Sequence, residues 1–267
     1  METTYNQIVL KSGEKVYFAS DSHLGAPTNK ESYPREIRLV KWLDKVKKDA
    51  GAIFLLGDIF DFWFEYKTVV PKGFVRLFGK LAEITDRGIP VYFFAGNHDL
   101  WLNGYFGKEL NIRVFHSKEI FTINGKRFFI AHGDGLGPGD KGYKRLKKVF
   151  SHPLFIGLFR WLHPDIGLRL GKYLSVKNKL ISGSEDVIFL GADREWLVQY
   201  AKRKLKTEHY DYFVFGHRHL PLEIQLGEKS RYINLGDWIH HFTFGKFDGC
   251  KMYLNKFDNP EAEPFNH

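Results

Sequence analysis

The sequence predicts an α/β fold that mixes strand–helix–strand crossovers with hairpins and carries a helical insertion between residues 135 and 190. Three observations predict it. Five apolar runs each stop at a carboxylate, amide or imidazole, as buried strands ending at a sheet edge do. Amphipathic stretches alternate with the first of these runs, which is the pattern of a sheet whose ligands sit off its strand ends. After Gly133 the regularity gives way to a basic, aromatic-rich stretch opened by Gly135, Gly137 and Gly139.

Residues 5–20 read as two short strands around the Ser12-Gly13-Glu14-Lys15 turn, the second delivering Asp21-Ser22-His23. Residues 31–48 predict a helix, with Ile37, Val40, Leu43 and Val46 at three-residue spacing and charges between them. Next comes Ala52-Ile53-Phe54-Leu55-Leu56, which ends in Gly57-Asp58 and, three residues on, Asp61. A carboxylate at that strand end meets water, whereas within the run it would be costly to bury unpaired. Residues 74–87 form a second amphipathic helix stopped by Gly88 and Pro90, and residues 91–95 then deliver Gly96-Asn97-His98-Asp99. Between 112 and 131 short strands flank Asn124-Gly125, a strong hairpin signal, and lead into His132-Gly133-Asp134. In the insertion, 143–150 and 154–162 read as helices punctuated by Pro153 and Pro164, and the whole is expected to lie over the site as a lid. Residues 193–206 return to an ordinary amphipathic helix. Strands at 212–215, 223–226, 232–235 and 243–247 close the sheet, the first ending in Gly216-His217-Arg218-His219.

With 267 residues, 43% of them hydrophobic, the chain can bury a sizeable core and is expected to form one domain, 1–267, with the lid inserted. The single cysteine, Cys250, excludes an internal disulfide framework and fits a reducing compartment. Acidic Glu2 and the lack of a long apolar run after a basic start argue against a signal peptide, so a cytoplasmic or peripheral membrane protein is expected. Net charge is +9, and between 141 and 180 ten lysines and arginines face one acid, Asp165. The partner that sees this charge therefore meets one segment.

Carboxylate, imidazole and amide oxygen, with no thiolate, suit a mid-row divalent ion such as Mn²⁺, Fe²⁺ or Zn²⁺. Seven such groups exceed one ion's demand, and a carboxylate can bridge two. Two ions ~3.5–4 Å apart hold a hydroxide between them and clamp the oxygens of an in-line phosphoryl displacement. A lone Asp-x-His or Gly-Asp is usually a surface pair or a turn; five ordered elements, each after an apolar run, leave that reading little room. His116, His152, His163, His209, His240, His241 and His267 fall outside the elements and are assigned no chemistry.

Asp21-x-His23, Gly57-Asp58-x-x-Asp61, Gly96-Asn97-His98-Asp99, His132-Gly-Asp and Gly216-His217-x-His219 together resemble, in order, the motifs of the calcineurin-like metallophosphoesterases. The resemblance implies a two-sheet sandwich flanked by helices, layered α/β/β/α. It implies one metal on Asp21, His23, Asp58 and His219 and a second on Asp58, Asn97, His132 and His217, with Mn²⁺ the foremost candidate. His98 would be the catalytic imidazole, oriented by Asp99, and Asp61 would orient a ligand rather than bind metal.

Ser20-Asp21-Ser22-His23-Leu24-Gly25, Gly57-Asp58-Ile59-Phe60-Asp61-Phe62-Trp63, His132-Gly133-Asp134-Gly135-Leu136 and Leu235-Gly236-Asp237-Trp238 further resemble the UDP-2,3-diacylglucosamine diphosphatases of lipid A synthesis. These cleave an acylated sugar nucleotide to a lipid monophosphate and UMP, and carry a helical lid after the His-Gly-Asp motif. Asp140 and Tyr143, with Lys177, Asn178 and Lys179, match places where that family contacts substrate. The best-known branch has arginine where this chain has His98, so either a variant branch performs the same reaction or a related hydrolase acts on another lipid or nucleotide diphosphate. Val149, Phe150, Leu154, Phe155, Ile156, Leu158, Phe159, Trp161 and Leu162, mixed with the positive charge, suit an anionic acylated substrate and docking on the anionic inner-membrane face. Each of them is as readily explained by packing of the lid onto the main domain. Neither nucleic acid nor an obligate protein partner is expected. A nuclease using the basic segment, and a non-catalytic scaffold with a decayed site, are the competing classes; dense aliphatics beside the charges oppose the first and the intact ligand set the second.

Overall fold

The ligand-bearing strands are buried on both faces, which is why their sequences run apolar without alternation. In β2 (Lys15–Ala19), Val16 and Phe18 face one core while Tyr17 and Ala19 face another. β3 (Ala50–Leu55) repeats the division, with Phe54 turned one way and Ile53 and Leu55 the other. A computed structural model, described for residues 6–137, 141–182, 189 and 191–257, assembles these strands into two six-stranded mixed sheets.

The first sheet adds β4 (Val91–Phe94), β5 (Arg113–Phe115), β11 (Thr243–Phe247) and β12 (Met252–Lys256), in the order β12-β11-β2-β3-β4-β5. The second contains β1 (Asn6–Ile8), β6 (Glu119–Ile123), β7 (Lys126–Ile130), β8 (Tyr212–Phe215), β9 (Pro221–Leu226) and β10 (Ser230–Leu235), in the order β1-β6-β7-β8-β10-β9. Aromatic rings fill the space between them: Phe18 stacks on Phe54 at 4.9 Å between centroids and lies 6.1 Å from Phe128 of the opposite sheet. Helices α1 (Asn29–Val46), α2 (Val75–Asp86) and α3 (Tyr105–Leu110) cover the first sheet, and α7 (Trp196–Leu205) the second, giving the expected α/β/β/α layers. Because β2, β3 and β4 are mutually parallel, as are β7 and β8, the residues that follow them emerge at one rim.

Three helices, α4 (Lys141–Phe150), α5 (Pro153–Arg160) and α6 (Pro164–Ser182), occupy the inserted stretch. They meet the sheet layers through aromatic contacts. Phe159 lies 4.6 Å from Phe64 and stacks on Trp101 at 6.1 Å, and Trp101 Nε1 donates to the Phe150 carbonyl at 2.8 Å.

Some local expectations need correction. β1 and β2 do not form a hairpin: β1 pairs in parallel with β6 of the second sheet, and Leu10 N donates to Asn124 Oδ1 at 2.8 Å, which draws the chain away from β2. The 193–206 helix begins only at Trp196. Short α3, and β12 with its one fully buried side chain, Met252, gave no periodic signal.

Candidate metal centre at the strand ends

Five of the seven candidate ligands have left-handed backbones: Asp21 (φ 54°), His23 (43°), Asp58 (52°), His217 (70°) and His219 (51°). Such conformations cost a non-glycine residue roughly 1–3 kcal/mol and persist where the surroundings over-determine them, typically at functional sites. The chain turns sharply off each strand so that side chains from both sheets converge. Two glycines make room for that convergence: a Cβ on Gly96 would stand 2.2 Å from Asp58 Oδ1, and one on Gly216 2.5 Å from Asp21 Oδ2.

Asp58 is the centre of the cluster. Its Oδ1 accepts from His98 N at 2.9 Å. Its Oδ2 lies 3.4 Å from His132 Nε2, 3.7 Å from His23 Nε2 and 4.0 Å from His98 Nε2. His23 and His219 bring their Nε2 atoms to 3.1 Å, His219 Nε2 is 3.5 Å from Asp21 Oδ1, and His132 Nε2 is 3.2 Å from Asn97 Oδ1. Asp58, His132 and His217 form one compact donor set and Asp21, His23 and His219 another, while His23, Asp61 and His98 form a third.

The imidazoles share a pattern. His132 Nδ1 is 2.7 Å from the Leu56 carbonyl, His23 Nδ1 3.3 Å from Asp61 Oδ1, and His219 Nδ1 3.7 Å from Asp237 Oδ2. In His132 the Nδ1 hydrogen bond to a carbonyl turns Nε2 toward the cluster, the arrangement that fixes the tautomer of a metal-binding histidine, and in His23 and His219 a carboxylate stands on the Nδ1 side. Asp61 thus sits beside His23, its carboxylate on the Nδ1 side of that ring.

Asp99 behaves otherwise than expected. It is fully buried and accepts from the backbone of Asp58 (3.1 Å), Ile59 (2.8 Å) and Gly96 (2.7 Å). It shapes the loop that holds Asp58, and His98 is oriented by other groups: its Nδ1 lies 2.9 Å from the Asp61 carbonyl and 3.0 Å from Ser175 Oγ. Sequence reasoning passed over two contributors. Asp237 stood in a quoted motif without a role; its Oδ1 caps the backbone of Ile239, His240 and His241, which aims Oδ2 at His219. Ser175 gave no signal at all.

Charge within the cluster is tightly shared. Burial pushes the Asp21 carboxyl up to about 8, with Asp58 adding to the effect, and burial beside Asp58 likewise lifts Asp99 to about 7. Asp58 itself is held well below the usual carboxylate range, because His132, His98 and His23 outweigh its burial. His132 is the counterpart: burial opposes its protonation, but Asp58 and Asp21 raise it to about 10.

The donor set fits a divalent ion. Asp21 Oδ1 is buried without a hydrogen-bond partner. Ligand atoms bound to one ion at about 2.1 Å stand roughly 3.0–3.4 Å apart at octahedral to tetrahedral angles. The 3.1, 3.2 and 3.4 Å separations above fall in that range, and nitrogen with oxygen donors suits the middle of the first transition row.

Of the candidate substrate contacts, Asp140 lies outside the described residues. Tyr143 is placed on α4 and Lys177, Asn178 and Lys179 on α6, with their side chains outside the description. Two cavities adjoin the cluster. One, of about 180 Å³, runs between the α4–α6 segment and the rim, lined by Phe62, Trp101, Phe150, Phe155, Phe159 and Leu174 and reaching Asn97 and His98. The other, of about 250 Å³, lies beside His132 and takes in His116, Ser117 and Lys118; Lys147, ion-paired to Asp134 at 2.6 Å, borders both.

A UDP-2,3-diacylglucosamine hydrolase of Porphyromonas gingivalis is 35% identical over 259 residues, covering 92% of this chain and 99% of its own. One from Shewanella putrefaciens is 28% identical over 226 residues, or 84% of this chain and 89% of its own. Among solved structures, Vacuolar Protein Sorting 29 from Cryptosporidium parvum covers 95% of both chains at 15% identity with a TM-score of 0.45, too distant to add to these. The calcineurin-like phosphoesterase family matches residues 14–221, a span that takes in all five ligand-bearing loops. The chain belongs to the calcineurin-like phosphoesterases and is a hydrolase.

Proposed function

We propose that this protein hydrolyses the diphosphate of UDP-2,3-diacylglucosamine, releasing UMP and 2,3-diacylglucosamine 1-phosphate, with 135–190 serving as a lid within one domain. The observation that carries the reading is the apolar cavity that opens onto Asn97 and His98. A substrate with acyl chains at one end and a charged nucleotide at the other matches an apolar cavity and a second one bordered by Lys118 and Lys147, with the cluster beside both. The name shared by the relatives from P. gingivalis and S. putrefaciens supports the same substrate.

Asp21, His23, Asp58 and His219 would hold one ion and Asp58, Asn97, His132 and His217 the second, with Mn²⁺ the first choice over Fe²⁺ and Zn²⁺. When bound, the pair supplies Lewis acidity toward the phosphate oxygens and an acidified water. His98 is the catalytic imidazole. The Asp61 carbonyl can only accept, so His98 Nδ1 carries its hydrogen and Nε2, 4.0 Å from Asp58 Oδ2, faces the reacting phosphate. In the imidazolium form, with a hydrogen on each ring nitrogen, Nε2–H would there stabilise developing charge or pass its proton to the leaving oxygen, leaving the neutral Nδ1–H ring. Asp140, Tyr143, Lys177, Asn178 and Lys179 are assigned to the lid side of the substrate.

Among the described residues no helix is long and apolar enough to cross a membrane. Among the described residues, ten of the fifteen exposed large hydrophobic side chains lie between Val149 and Leu174, beside the densest positive charge in the chain. Such a surface suits peripheral docking on the anionic cytoplasmic face of the inner membrane. The test is to incubate the Mn²⁺-loaded protein with synthetic UDP-2,3-diacylglucosamine and identify the products by mass spectrometry. Equal amounts of UMP and lipid monophosphate are expected. Release of UDP, or turnover of bis(p-nitrophenyl) phosphate with none of the lipid, would move the substrate elsewhere.

A further inference from the structure

Ser175 belongs to α6, yet its side chain reaches the catalytic rim. The approach has a simple cause. Gly167, Gly171 and Ser175 recur every four residues and so share one helix face. That face lies against the loop following Asp61 so closely that a Cβ on Gly167 would stand 2.0 Å from the Tyr66 hydroxyl and one on Gly171 2.1 Å from the Phe62 ring. One turn farther along, Ser175 is 7% exposed and its Oγ lies 3.0 Å from Asp61 Oδ2 and 3.0 Å from His98 Nδ1. A carboxylate can only accept, so the hydroxyl donates to Asp61 and its lone pair is left to accept from His98 Nδ1–H. The Asp61 carbonyl, 2.9 Å away, is the second acceptor for the same hydrogen.

We propose that Ser175 is a positioning residue: its hydroxyl ties α6 to Asp61 and His98 and holds the His98 ring with Nε2 toward the reacting phosphate. The inference rests on the reading of His98 as the catalytic imidazole. It makes the lid part of the catalytic arrangement for every substrate, because docking of α6 completes the cage around a side chain that the core supplies. It also accounts for a buried hydroxyl in a helix face otherwise made of glycine.

A double-mutant cycle on the Mn²⁺-loaded protein tests it, with bis(p-nitrophenyl) phosphate and UDP-2,3-diacylglucosamine as substrates. Ser175→Ala is expected to lower kcat roughly 3- to 30-fold on both, with KM within about twofold. Ser175→Thr, which keeps the hydroxyl, should recover most of the loss, and thermal melting of the wild type and Ser175→Ala should agree. Because Ser175 acts through His98, adding Ser175→Ala to His98→Ala should cost nothing more. An equal further loss in the His98→Ala background, or a rise in KM confined to the lipid, would overturn the positioning role and leave Ser175 as a packing or substrate-contact residue. If His98→Ala alone is harmless, it is the catalytic assignment of His98 that falls, a separate result.

Discussion

The strand-end rim and the α4–α6 segment are opposites in almost every physical respect. At the rim Asp21, His23, Asp58 and Asp99 are at most 1% exposed, the backbones of the first three are bent into costly conformations, and Asp99 is tied to three successive backbone amides. In the helical segment Leu158, Trp161 and Tyr173 are 59%, 90% and 62% exposed, and the charges are lysines and arginines but for Asp165. Chemistry on a phosphate needs groups fixed before the substrate arrives, and a closed lattice of hydrogen bonds provides that. Choosing among phosphoesters needs a surface shaped to the rest of the molecule, where exposed apolar area serves better than rigidity. Among the described residues the two regions meet where Trp101 and Phe64 pack on Phe159, Trp101 bonds Phe150, Lys147 pairs with Asp134, the Gly167 and Gly171 face lies on Tyr66 and Phe62, and Ser175 reaches Asp61 and His98. The comparison is open to test one side at a time.

The largest effect should come from the centre of the rim. Asp58→Ala is expected to remove both ions and to lower hydrolysis of either substrate by at least about 10⁴-fold. Binding of a non-hydrolysable lipid analogue, which draws on the helical segment, should change far less. Elemental analysis after gel filtration decides the matter; a variant that still carries two ions would show that Asp58 does not bridge them.

His98 stands next in size. His98→Ala should lower kcat by ~10²–10⁴-fold on both substrates with metal content intact. Loss of metal alongside activity would make His98 a ligand. His98→Arg sharpens the point, since an active arginine variant would mean that a positive donor at this place suffices whatever its shape.

How far the sequence alone reached also divides along this line. The rim was legible because each ligand follows an apolar run that ends abruptly, and strands buried on both faces have no other reason to stop at Asp21, Asp58, Asn97, His132 or His217. Parallel pairing, which brings those ends together, was readable from the alternation of strands and helices. Groups that act from beside the cluster were not. Asp99 stands next to His98 in the chain, yet its carboxylate turns to the backbone of Asp58 and Ile59, a direction that adjacency cannot supply. Ser175 lies 77 residues from His98, and a serine that follows two glycines at four-residue spacing on a helix carries no signal until the helix is docked. The helical segment was recognisable by its charge and aromatics but not by which side chain does what. Phe155 lines the cavity, Phe159 lines it and also packs on Phe64 and Trp101, and Trp161 points to solvent.

That separation yields a third prediction. Phe155→Ser should lower kcat/KM for UDP-2,3-diacylglucosamine by roughly 10- to 100-fold, from the 1.5–3 kcal/mol that burying a phenylalanine contributes. Turnover of bis(p-nitrophenyl) phosphate should stay within about twofold. Phe159→Ser should lower both, because its ring also docks the segment that carries Ser175. If Phe155→Ser depresses both substrates equally, the cavity is a structural joint and the division of labour between the regions fails at that point.

The smallest effect is expected at the outer surface of the segment. Trp161 is 90% exposed and lines neither cavity described above, so Trp161→Ser should leave thermal melting and turnover of detergent-dispersed substrate unchanged. An indole and nearby lysines and arginines give a membrane an apolar anchor and a charge partner together. Partitioning onto vesicles containing about 30% anionic lipid should therefore weaken by several-fold up to tenfold in Trp161→Ser. In the wild type it should weaken further as salt is raised past the point where screening shortens to about 8 Å. Neutral vesicles separate the two contributions, since the tryptophan effect should persist on them and the salt effect should vanish. Equal partitioning of wild type and variant on both vesicle types would mean that the exposed face of the segment meets something other than a lipid surface.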